Sequence, residues 1–370
     1  MEKINVLWVI NALGYGGAEK QLLYMKDILK NDAKINVTVL YYAKVKDELS
    51  FDDDSIIYVD KKTLGPVKTI LEIKKVIKER NIHIMHALGG GSANIYGRAA
   101  AALCGKVIPI GAMLGKKHFK DFSSKLINSA LNLFGNWWTV NNLDLVPIIE
   151  KDLYFLKKDR TVMLHNGFVP AEKIDYKLGE KTDYDEDKGD SFVFTVVGRV
   201  EPVKNYPMFI SAAAEIAKEY KNARFWVIGK GKEYDNLVAL TEEKGISDRV
   251  KFWGFKDDVD VALSRSDVFV QTSFTEGSPN AVAEAMRAGK PVISTRSTDM
   301  SEMIVEGENG SVIDVDDTAA LIRAMKAMLD LPEEQKKAFG ARSLELFNNT
   351  FLDEKVKKEY YELYEKVLGE

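Results

Sequence analysis

The sequence of 370 residues has one cysteine and no strong excess of either charge. Because Cys104 stands alone, an internal disulfide framework is excluded, which is typical of a protein in a reducing cytoplasm. The 52 Lys and Arg residues against 56 Asp and Glu residues give a formal net charge of -4, and this balance does not favour nucleic acid as a partner. We therefore expect a cytoplasmic protein that binds no nucleic acid.

Long hydrophobic runs are also missing. No segment approaches the roughly 18 uninterrupted apolar residues of a transmembrane helix. The apolar run at the N-terminus spans only about seven residues before the loop NALGYGG, which is too short for a signal peptide. We interpret this run as a first β-strand, and we expect any membrane association to be peripheral.

Short apolar runs alternate with longer helical patterns along most of the chain. This alternation indicates βα units, and the length favours two Rossmann-like α/β domains. We predict a first domain over residues 1–170, a polar linker over 171–190, a second domain over 191–350 and a C-terminal helix over 351–370. The strand candidates are Ile4–Ile10, Ile35–Tyr41, Ile56–Tyr58, Ile82–His86, Val107–Ile110, Trp137–Val140 and Thr161–Leu164, then Phe192–Val197, Arg224–Ile228, Arg249–Trp253, Asp267–Gln271, Pro291–Ser294 and Ser311–Ile313.

The first predicted strand ends in a glycine loop, GYGGAEKQ, which contains Gly16 and Gly17 and leads into a helix. The N–H groups and the dipole at a helix N-terminus favour an anion such as a diphosphate. Glu19 occupies the position of the third glycine in the dinucleotide-binding fingerprint, so NAD is disfavoured. A tight βα turn without a ligand is the alternative.

The first strand of the second domain is followed by GRVEPVKN, which places Arg199 and Lys204 in one loop. Open α/β sheets bind ligands at the carboxyl ends of their strands, and two cations at this spacing can clamp a diphosphate. Ordinary solvated cations are the alternative.

The stretch FTEGSPNAVAEAMRAGKPVI carries two acids, Glu276 and Glu284, at the start of a predicted helix. Ser278 is the predicted N-cap, Pro279 the first helical residue and Gly289 the stop. Neither acid stands at the capping-box position three residues after Ser278. Glu284 could reach a ribose diol and Glu276 could accept hydrogen bonds from a sugar, whereas a surface acid beside a helix dipole is the alternative for Glu276.

Acidic runs begin at Asp52, Asp183 and Asp314 and resemble metal-binding patterns. They fall in predicted loops, where solvated turns are the favoured interpretation. We therefore predict no metal site.

The motifs GGAE, GRVEPVKN, IGKGKEYDNL, VKFWGF and EGSPNAVAEAMRAGKPVI occur in this order, and together they resemble glycosyltransferase family 4. The resemblance covers nearly the whole chain. It implies a retaining nucleotide-sugar transferase of the GT-B fold, with two Rossmann-like domains facing across a cleft and the final helix crossing back to the first domain. It also implies a nucleotide-sugar co-substrate, and such transferases usually need no bound metal.

The resemblance further implies roles for the motif residues. Arg199 and Lys204 would neutralise the donor diphosphate, while Glu276 would hold the donor sugar. Glu284 would hold the ribose, and the loop from Trp253 to Lys256 would bracket the base. The implied catalytic residues are Glu276, Arg199, Lys204 and His86, and the implied donor-binding residues are Gly16, Gly17, Trp253, Phe255, Ser278, Pro279, Asn280 and Glu284.

The catalytic histidine has two candidates in the sequence. His86 matches a stretch common in the family, but Leu88 stands where many members have a second histidine. After the next strand, His118 is the only other candidate. His86 at a predicted strand end is the better candidate, with a satisfied structural histidine as the alternative.

The segment Gly115–Trp138 combines lysines with phenylalanine and leucine. This composition is typical of an amphipathic segment at a membrane surface, and a core-facing helix with solvated lysines is the alternative. Up to Pro170 there are about 24 basic and about 17 acidic residues, an excess that anionic lipid headgroups would account for.

Together these features predict a cytoplasmic retaining glycosyltransferase that acts on a glycan or lipid-linked acceptor in the synthesis of cell-surface polysaccharide or glycolipid. The EGSPN form of the motif favours a UDP-sugar donor, with GDP-mannose as the next candidate. A GT-B nucleotide-sugar epimerase and a non-catalytic nucleotide-sugar-binding or membrane scaffold are the alternatives.

Overall fold

The computed structural model describes residues 3–14, 17–30, 32–45, 52–88, 91–115 and 121–369. The chain divides into two compact units, unit 1 with residues 1–168 and 353–370, and unit 2 with residues 169–352. Each unit has its own parallel sheet and its own core.

Unit 1 is built on a sheet of seven described strands in the order β3-β2-β1-β4-β5-β6-β7. The β-branched and aromatic residues of β1 and β2 suit a strand that is buried on both faces. The strands are β1 (Ile4–Ile10), β2 (Ile35–Tyr41), β3 (Ile56–Tyr58), β4 (Ile84–Ala87), β5 (Ile108–Met113), β6 (Trp137–Val140) and β7 (Thr161–Met163). The helices between them are α1 (Gly17–Ile28), α2 (Lys61–Glu79), α3 (Ser92–Ala102), α4 (Phe122–Leu131) and α5 (Val146–Asp152).

Unit 2 has a sheet of six described strands in the order β10-β9-β8-β11-β12-β13. Counted from β8, this is the Rossmann order 3-2-1-4-5-6, whose direction reverses between β8 and β11. The strands are β8 (Phe192–Val197), β9 (Ala223–Ile228), β10 (Val250–Gly254), β11 (Val268–Gln271), β12 (Val292–Thr295) and β13 (Gly310–Ile313). The helices are α6 (Asp183–Lys188), α7 (Tyr206–Glu219), α8 (Tyr234–Glu243), α9 (Val259–Arg265), α10 (Asn280–Arg287), α11 (Thr318–Asp330) and α12 (Glu333–Thr350).

The last helix, α13 (Asp353–Leu368), belongs to unit 1. Its residues Val356 and Tyr364 are fully buried in the core beside β1. Trp8 of β1 donates its indole N–H to the Tyr364 hydroxyl at 2.8 Å. The predicted return of the final helix to the first domain is therefore confirmed.

Each of the thirteen predicted strands has a counterpart among the described residues, with ends that differ by at most a few positions. The structure of segment 171–190 differs from the predicted linker without periodicity. It lies in unit 2 and contains α6, which opens with a capping box between Thr182 and Asp185. Tyr184 of this helix is buried against Trp226 and Trp253, because aromatic residues of unit 2 give the segment a surface to pack on.

None of the described helices is long and apolar enough to cross a membrane.

The acidic runs are more ordered than solvated turns, since their carboxylates serve as helix caps and ion-pair partners. Asp53 pairs with Lys26 at 2.6 Å, and Asp317 accepts from the Ala320 N–H at the start of α11.

Candidate functional site

The loops after β8 and β11 meet at the point where the strand order of unit 2 reverses, which is the ligand position of open α/β sheets. The Phe274 N–H donates to the Val203 carbonyl at 2.9 Å. The Thr272 hydroxyl donates to the Lys204 carbonyl at 2.8 Å. Two predicted motifs that are distant in the sequence are thus joined by their backbones.

An ion pair between Lys204 and Glu276 is the centre of this arrangement. The Lys204 Nζ lies 2.7 Å from the Glu276 Oε1, and the two side chains are 22% and 15% exposed. The Ser273 hydroxyl donates to the same carboxylate oxygen at 2.6 Å. Sequence motifs pointed to both charged residues separately but missed their pairing and missed Ser273, which lacks a distinguishing pattern in QTSFTEG.

The loop after β12 supports the segment 273–277 from a third strand end. Thr295 donates its hydroxyl to the Ser273 carbonyl at 2.7 Å. The Ser297 carbonyl accepts from the Glu276 N–H at 3.3 Å. The backbone on both sides of the Glu276 side chain is therefore held in place, which reduces the entropy lost when a ligand binds.

Two glycines allow the strand-end loops to approach each other closely. Gly229 has a φ of +136°, and a Cβ built on it would lie 1.9 Å from the Gly198 carbonyl oxygen. A Cβ on Gly198 would lie 3.7 Å from the Lys204 Nζ and 3.1 Å from the Tyr206 hydroxyl. The missing side chain at Gly198 thus leaves space beside the Lys204 ammonium.

Tyr206 is a further polar residue here that no motif singled out. It is 4% exposed, and its buried hydroxyl has no hydrogen-bond partner among the described residues. Burial, and then the Glu276 charge, raise the pKa of Tyr206 well above its usual value, so its hydroxyl keeps its proton. Arg199, the other predicted cation of this loop, has an exposed side chain.

Helix α10 begins at Asn280 with Pro279 at the cap and without a side-chain cap bond, so the predicted cap at Ser278 is wrong by one residue. The ring of Pro279 shapes this turn instead. The Ser278 carbonyl also contributes, because it accepts a hydrogen bond from the Asn280 N–H at 3.0 Å. The predicted stop at Gly289 is confirmed by its φ of +66°. Glu284 is half-buried in the second turn of the helix.

The two aromatic residues predicted beside the base have different surroundings. Trp253 packs against Tyr184 with ring centroids 4.5 Å apart, and Lys256 lies over both rings. Phe255, by contrast, is 58% exposed. Of the two side chains, Phe255 is the one accessible for stacking.

The predicted residues of the first domain lie in unit 1. Gly17 is the first residue of α1, while Gly16 and His118 lie outside the described residues. His86 is on β4 and is completely buried. Its Nδ1 lies 3.0 Å from the Tyr364 hydroxyl and its Nε2 lies 2.8 Å from the Thr139 hydroxyl.

These contacts form one hydrogen-bonded chain with a consistent proton order. Because Trp8 donates to Tyr364, the Tyr364 hydroxyl can donate to His86 Nδ1, and His86 Nε2–H then donates to Thr139. Thr139 in turn donates to the Gly111 carbonyl at 3.4 Å. Burial lowers the pKa of His86 to about 3, so the imidazole is neutral at pH 7. This geometry favours the structural alternative for His86.

In the described part of the chain, no group of three or more His, Cys, Asp and Glu residues is placed to hold a metal ion.

Comparison with known proteins bears on residues 180–343, which match the family described as glycosyl transferases group 1. A lipopolysaccharide core biosynthesis glycosyltransferase, LpsE of Rhizobium meliloti, is 35% identical over 140 residues, which are 38% of this chain. The chain spans only 40% of the length of LpsE. The UDP-Gal:alpha-D-GlcNAc-diphosphoundecaprenol alpha-1,3-galactosyltransferase of Escherichia coli is 28% identical over 278 residues, which are 71% of this chain and 70% of that protein.

The whole chain also resembles a solved structure. Alr3699/HepE of Anabaena, crystallised in complex with UDP, superimposes with a TM-score of 0.81 at 16% identity and covers 98% of this chain and 100% of its own. This similarity confirms the predicted fold class, GT-B, with two Rossmann-like α/β units. Residues 180–343 are therefore similar to the glycosyl transferases group 1 family.

Proposed function

We propose that this protein is a retaining glycosyltransferase that moves a sugar from a UDP-sugar to a glycan or lipid-linked acceptor in the synthesis of cell-surface polysaccharide or glycolipid. The observation that carries the proposal is the Lys204–Glu276 pair at the reversal point of the unit 2 sheet. This pair lies within the part of the chain that matches the transferase family. The UDP bound to HepE and the UDP-Gal in the name of the E. coli relative favour uridine over the GDP-mannose alternative.

The ion pair suggests how donor binding prepares the reaction. A diphosphate beside Gly198 would compete for the Lys204 ammonium and release one oxygen of the Glu276 carboxylate. That oxygen could then accept a hydrogen bond from a hydroxyl of the donor sugar, while Ser273 keeps the carboxylate in place. Binding of the donor and orientation of its sugar would thus be linked by one exchange of partners.

Cleavage of the sugar–phosphate bond develops negative charge on the leaving diphosphate. Preorganised cations stabilise such charge more than they stabilise the ground state, which is the main demand on this site. Lys204 and Arg199 would supply these cations, and Glu284 would hold the ribose. The leaving phosphate can accept the proton of the acceptor hydroxyl, so retention needs neither a protein nucleophile nor the buried His86.

Binding and product analysis together test the proposal. UDP, GDP, UDP-glucose, UDP-galactose and GDP-mannose should be compared by the rise in melting temperature that each ligand causes, since a ligand that binds only the folded state stabilises it according to its affinity. We expect the uridine compounds to give the larger shifts. Donors that bind are then incubated with and without lipid-linked glycan acceptors, and the products are analysed.

Transfer that depends on an acceptor supports the proposal. Conversion of one nucleotide sugar into another without an acceptor would instead establish the epimerase. Binding without turnover of any donor would favour the scaffold, and shifts with guanosine compounds alone would overturn the uridine assignment.

A further inference from the structure

The hydroxyl of Tyr206 is a buried polar group beside the Lys204–Glu276 pair. Tyr206 is buried, and its hydroxyl has no hydrogen-bond partner among the described residues. A hydroxyl that leaves water without gaining a hydrogen bond destabilises the fold. Phenylalanine would fill the same place in the core without this cost. The stability of unit 2 therefore does not explain why a hydroxyl stands here.

The position of this hydroxyl is set by the core of unit 2. Tyr206 is the first residue of α7 and belongs to the hydrophobic cluster that α7 shares with β8 and β9. The far end of its ring reaches the end of β8, since a Cβ built on Gly198 would lie 3.1 Å from the hydroxyl. The hydroxyl is thus held beside the candidate site before any ligand arrives.

A left-handed turn brings Lys204 and Tyr206 to the same side of Gly198. Asn205, which lies between them, has a φ of +49°, a conformation that asparagine tolerates better than most residues. Its side-chain amide donates to Asp316 at 3.2 Å and so fixes the turn. A Cβ on Gly198 would lie 3.4 Å from the Lys204 Cε and 3.7 Å from its Nζ. The ammonium and the hydroxyl therefore border one small space.

Lys204 can donate more hydrogen bonds than it makes. An ammonium carries three N–H donors. Within the described ranges, the Glu276 carboxylate is the one group paired with the Lys204 Nζ. Burial, and then the Glu276 charge, raise the pKa of Tyr206 well above its usual value, so its oxygen is that of a neutral hydroxyl with lone pairs that can accept. Lys204 is thus a suitable donor for this hydroxyl.

We propose that Tyr206 is a positioning residue that holds Lys204 when a diphosphate draws the ammonium away from Glu276. In the free protein, the ammonium contacts the carboxylate and the hydroxyl is unpaired. In the ligand-bound protein, the hydroxyl oxygen accepts one N–H of Lys204, and the other N–H groups face the diphosphate. The inference deepens the proposed function and rests on it, because this exchange frees the Glu276 oxygen for the donor sugar.

The unpaired hydroxyl also favours the exchange energetically. Its missing hydrogen bond destabilises the free protein, and this destabilisation is relieved when Lys204 arrives. Binding of a diphosphate is therefore stronger than it would be if the hydroxyl had a partner at all times, since a ligand is favoured by whatever it improves in the bound state.

Titration of the full chain with inorganic pyrophosphate and with UDP, together with urea unfolding, tests this role. Tyr206→Phe should bind both ligands about tenfold more weakly, because the displaced ammonium loses a hydrogen-bond acceptor. Without ligand, the unfolding equilibrium constant of the variant should be equal to that of wild type or lower, because an unpaired buried hydroxyl has been removed. A residue that only supports the fold would show the opposite pattern.

Tyr184→Phe is the matched control. Tyr184 is a buried tyrosine of the same unit, but its hydroxyl has a partner, since it donates to Asp258 at 2.8 Å. Loss of this bond should raise the unfolding equilibrium constant about tenfold. The affinity for pyrophosphate, which carries no base, should stay as in wild type.

A second background tests the contact between Lys204 and Tyr206 without any ligand. In Glu276→Ala the ammonium has lost its carboxylate and can turn to the hydroxyl. Adding Tyr206→Phe to this variant should raise the unfolding equilibrium constant about fivefold, although the same change does not raise it in wild type.

Four results would overturn the role of Tyr206. They are no binding of pyrophosphate by wild type, equal pyrophosphate affinities of wild type and Tyr206→Phe, a loss of stability in Tyr206→Phe as large as that in Tyr184→Phe, or no effect of Tyr206→Phe in the Glu276→Ala background. Equal pyrophosphate affinities together with melting shifts by nucleotides would leave the proposed function standing. Weaker pyrophosphate binding by Tyr206→Phe without any shift by nucleotides would contradict the proposed function and support the role of Tyr206.

Discussion

At the scale of single residues, the Lys204–Glu276 pair predicts a difference between Glu276 and Glu284. Glu276→Ala should lower the rate constant of transfer by about 100-fold, because the donor sugar loses a partner in the transition state. The affinity of the Glu276→Ala variant for UDP should be unchanged or higher, since Lys204 no longer has a competing carboxylate. Glu284→Ala should weaken the binding of UDP and of the donor alike.

Steady-state kinetics and calorimetric titration with UDP check this division. Glu276→Gln is the control for shape, because its amide keeps an oxygen that can accept from Ser273. Equal losses of UDP affinity in Glu276→Ala and Glu284→Ala would contradict the assigned roles.

His86 predicts a dependence of stability on pH. Its pKa is about 3 in the folded chain, against an ordinary value of 6.5. Below 6.5 the unfolded chain takes up a proton that the folded chain does not, so the free energy of unfolding falls as the pH falls. When the pH is lowered from about 7.5 to about 5.5, this group should lower the free energy of unfolding by about 1.4 kcal/mol.

Urea unfolding of wild type and His86→Gln at the two pH values isolates this contribution, since the carboxylates titrate in both proteins. The free energy of the variant should fall by about 1.4 kcal/mol less than that of wild type over the same interval. Equal losses would mean that the folded imidazole is protonated as readily as the unfolded one.

At the scale of elements, the close approach of the loops after β8 and β9 depends on Gly229. Gly229→Ala combines a left-handed backbone with a Cβ 1.9 Å from the Gly198 carbonyl oxygen, so the loops must move apart. We expect a loss of about 3 kcal/mol or more in the free energy of unfolding, measured in urea, together with a smaller melting shift on adding UDP.

Gly245→Ala is the matched control in unit 2. Gly245 has a φ of +68°, but a Cβ there would meet nothing within 4 Å. Backbone strain alone should cost it about 1 kcal/mol. If both variants lost the same stability, the close contact at Gly229 would be unimportant.

The strands of this fold can be predicted from the sequence, whereas the contacts between its loops cannot. The strands are predictable because buried parallel strands appear as short continuous apolar runs, as in FVFTVV of β8. The pairing of Lys204 with Glu276 is not, because the two residues come from loops after different strands, β8 and β11, and leave no periodic pattern. The buried state of Tyr184 and the polar inner face of α4 were missed for a similar reason, since only the surrounding fold supplies Trp253 and Arg98 as their partners.

His86 is a predicted site residue whose burial could not be predicted from the sequence either. Its position at the end of an apolar run suggested a strand end open to a ligand. The structure continues β4 to Ala87 and covers the imidazole with Tyr364, which is 278 positions away in the sequence. A contact of this range cannot be deduced from local spacing.

At the scale of the whole molecule, the final helix makes the stability of unit 1 depend on the last residues of the chain. Tyr364→Phe removes the hydroxyl that joins Trp8 to His86, and leaves two buried polar groups without their partner. We expect a loss of about 2–3 kcal/mol in the free energy of unfolding of unit 1. In hydrogen exchange, amides of β1 and β4 should lose protection by about 30- to 150-fold, and amides of β8 to β12 by clearly less.

Tyr220→Phe, which removes an exposed hydroxyl bonded to Asp330 in unit 2, should change protection little in either unit. Equal loss of protection in both units of Tyr364→Phe would show that α13 stabilises the chain as one cooperative body rather than unit 1 in particular.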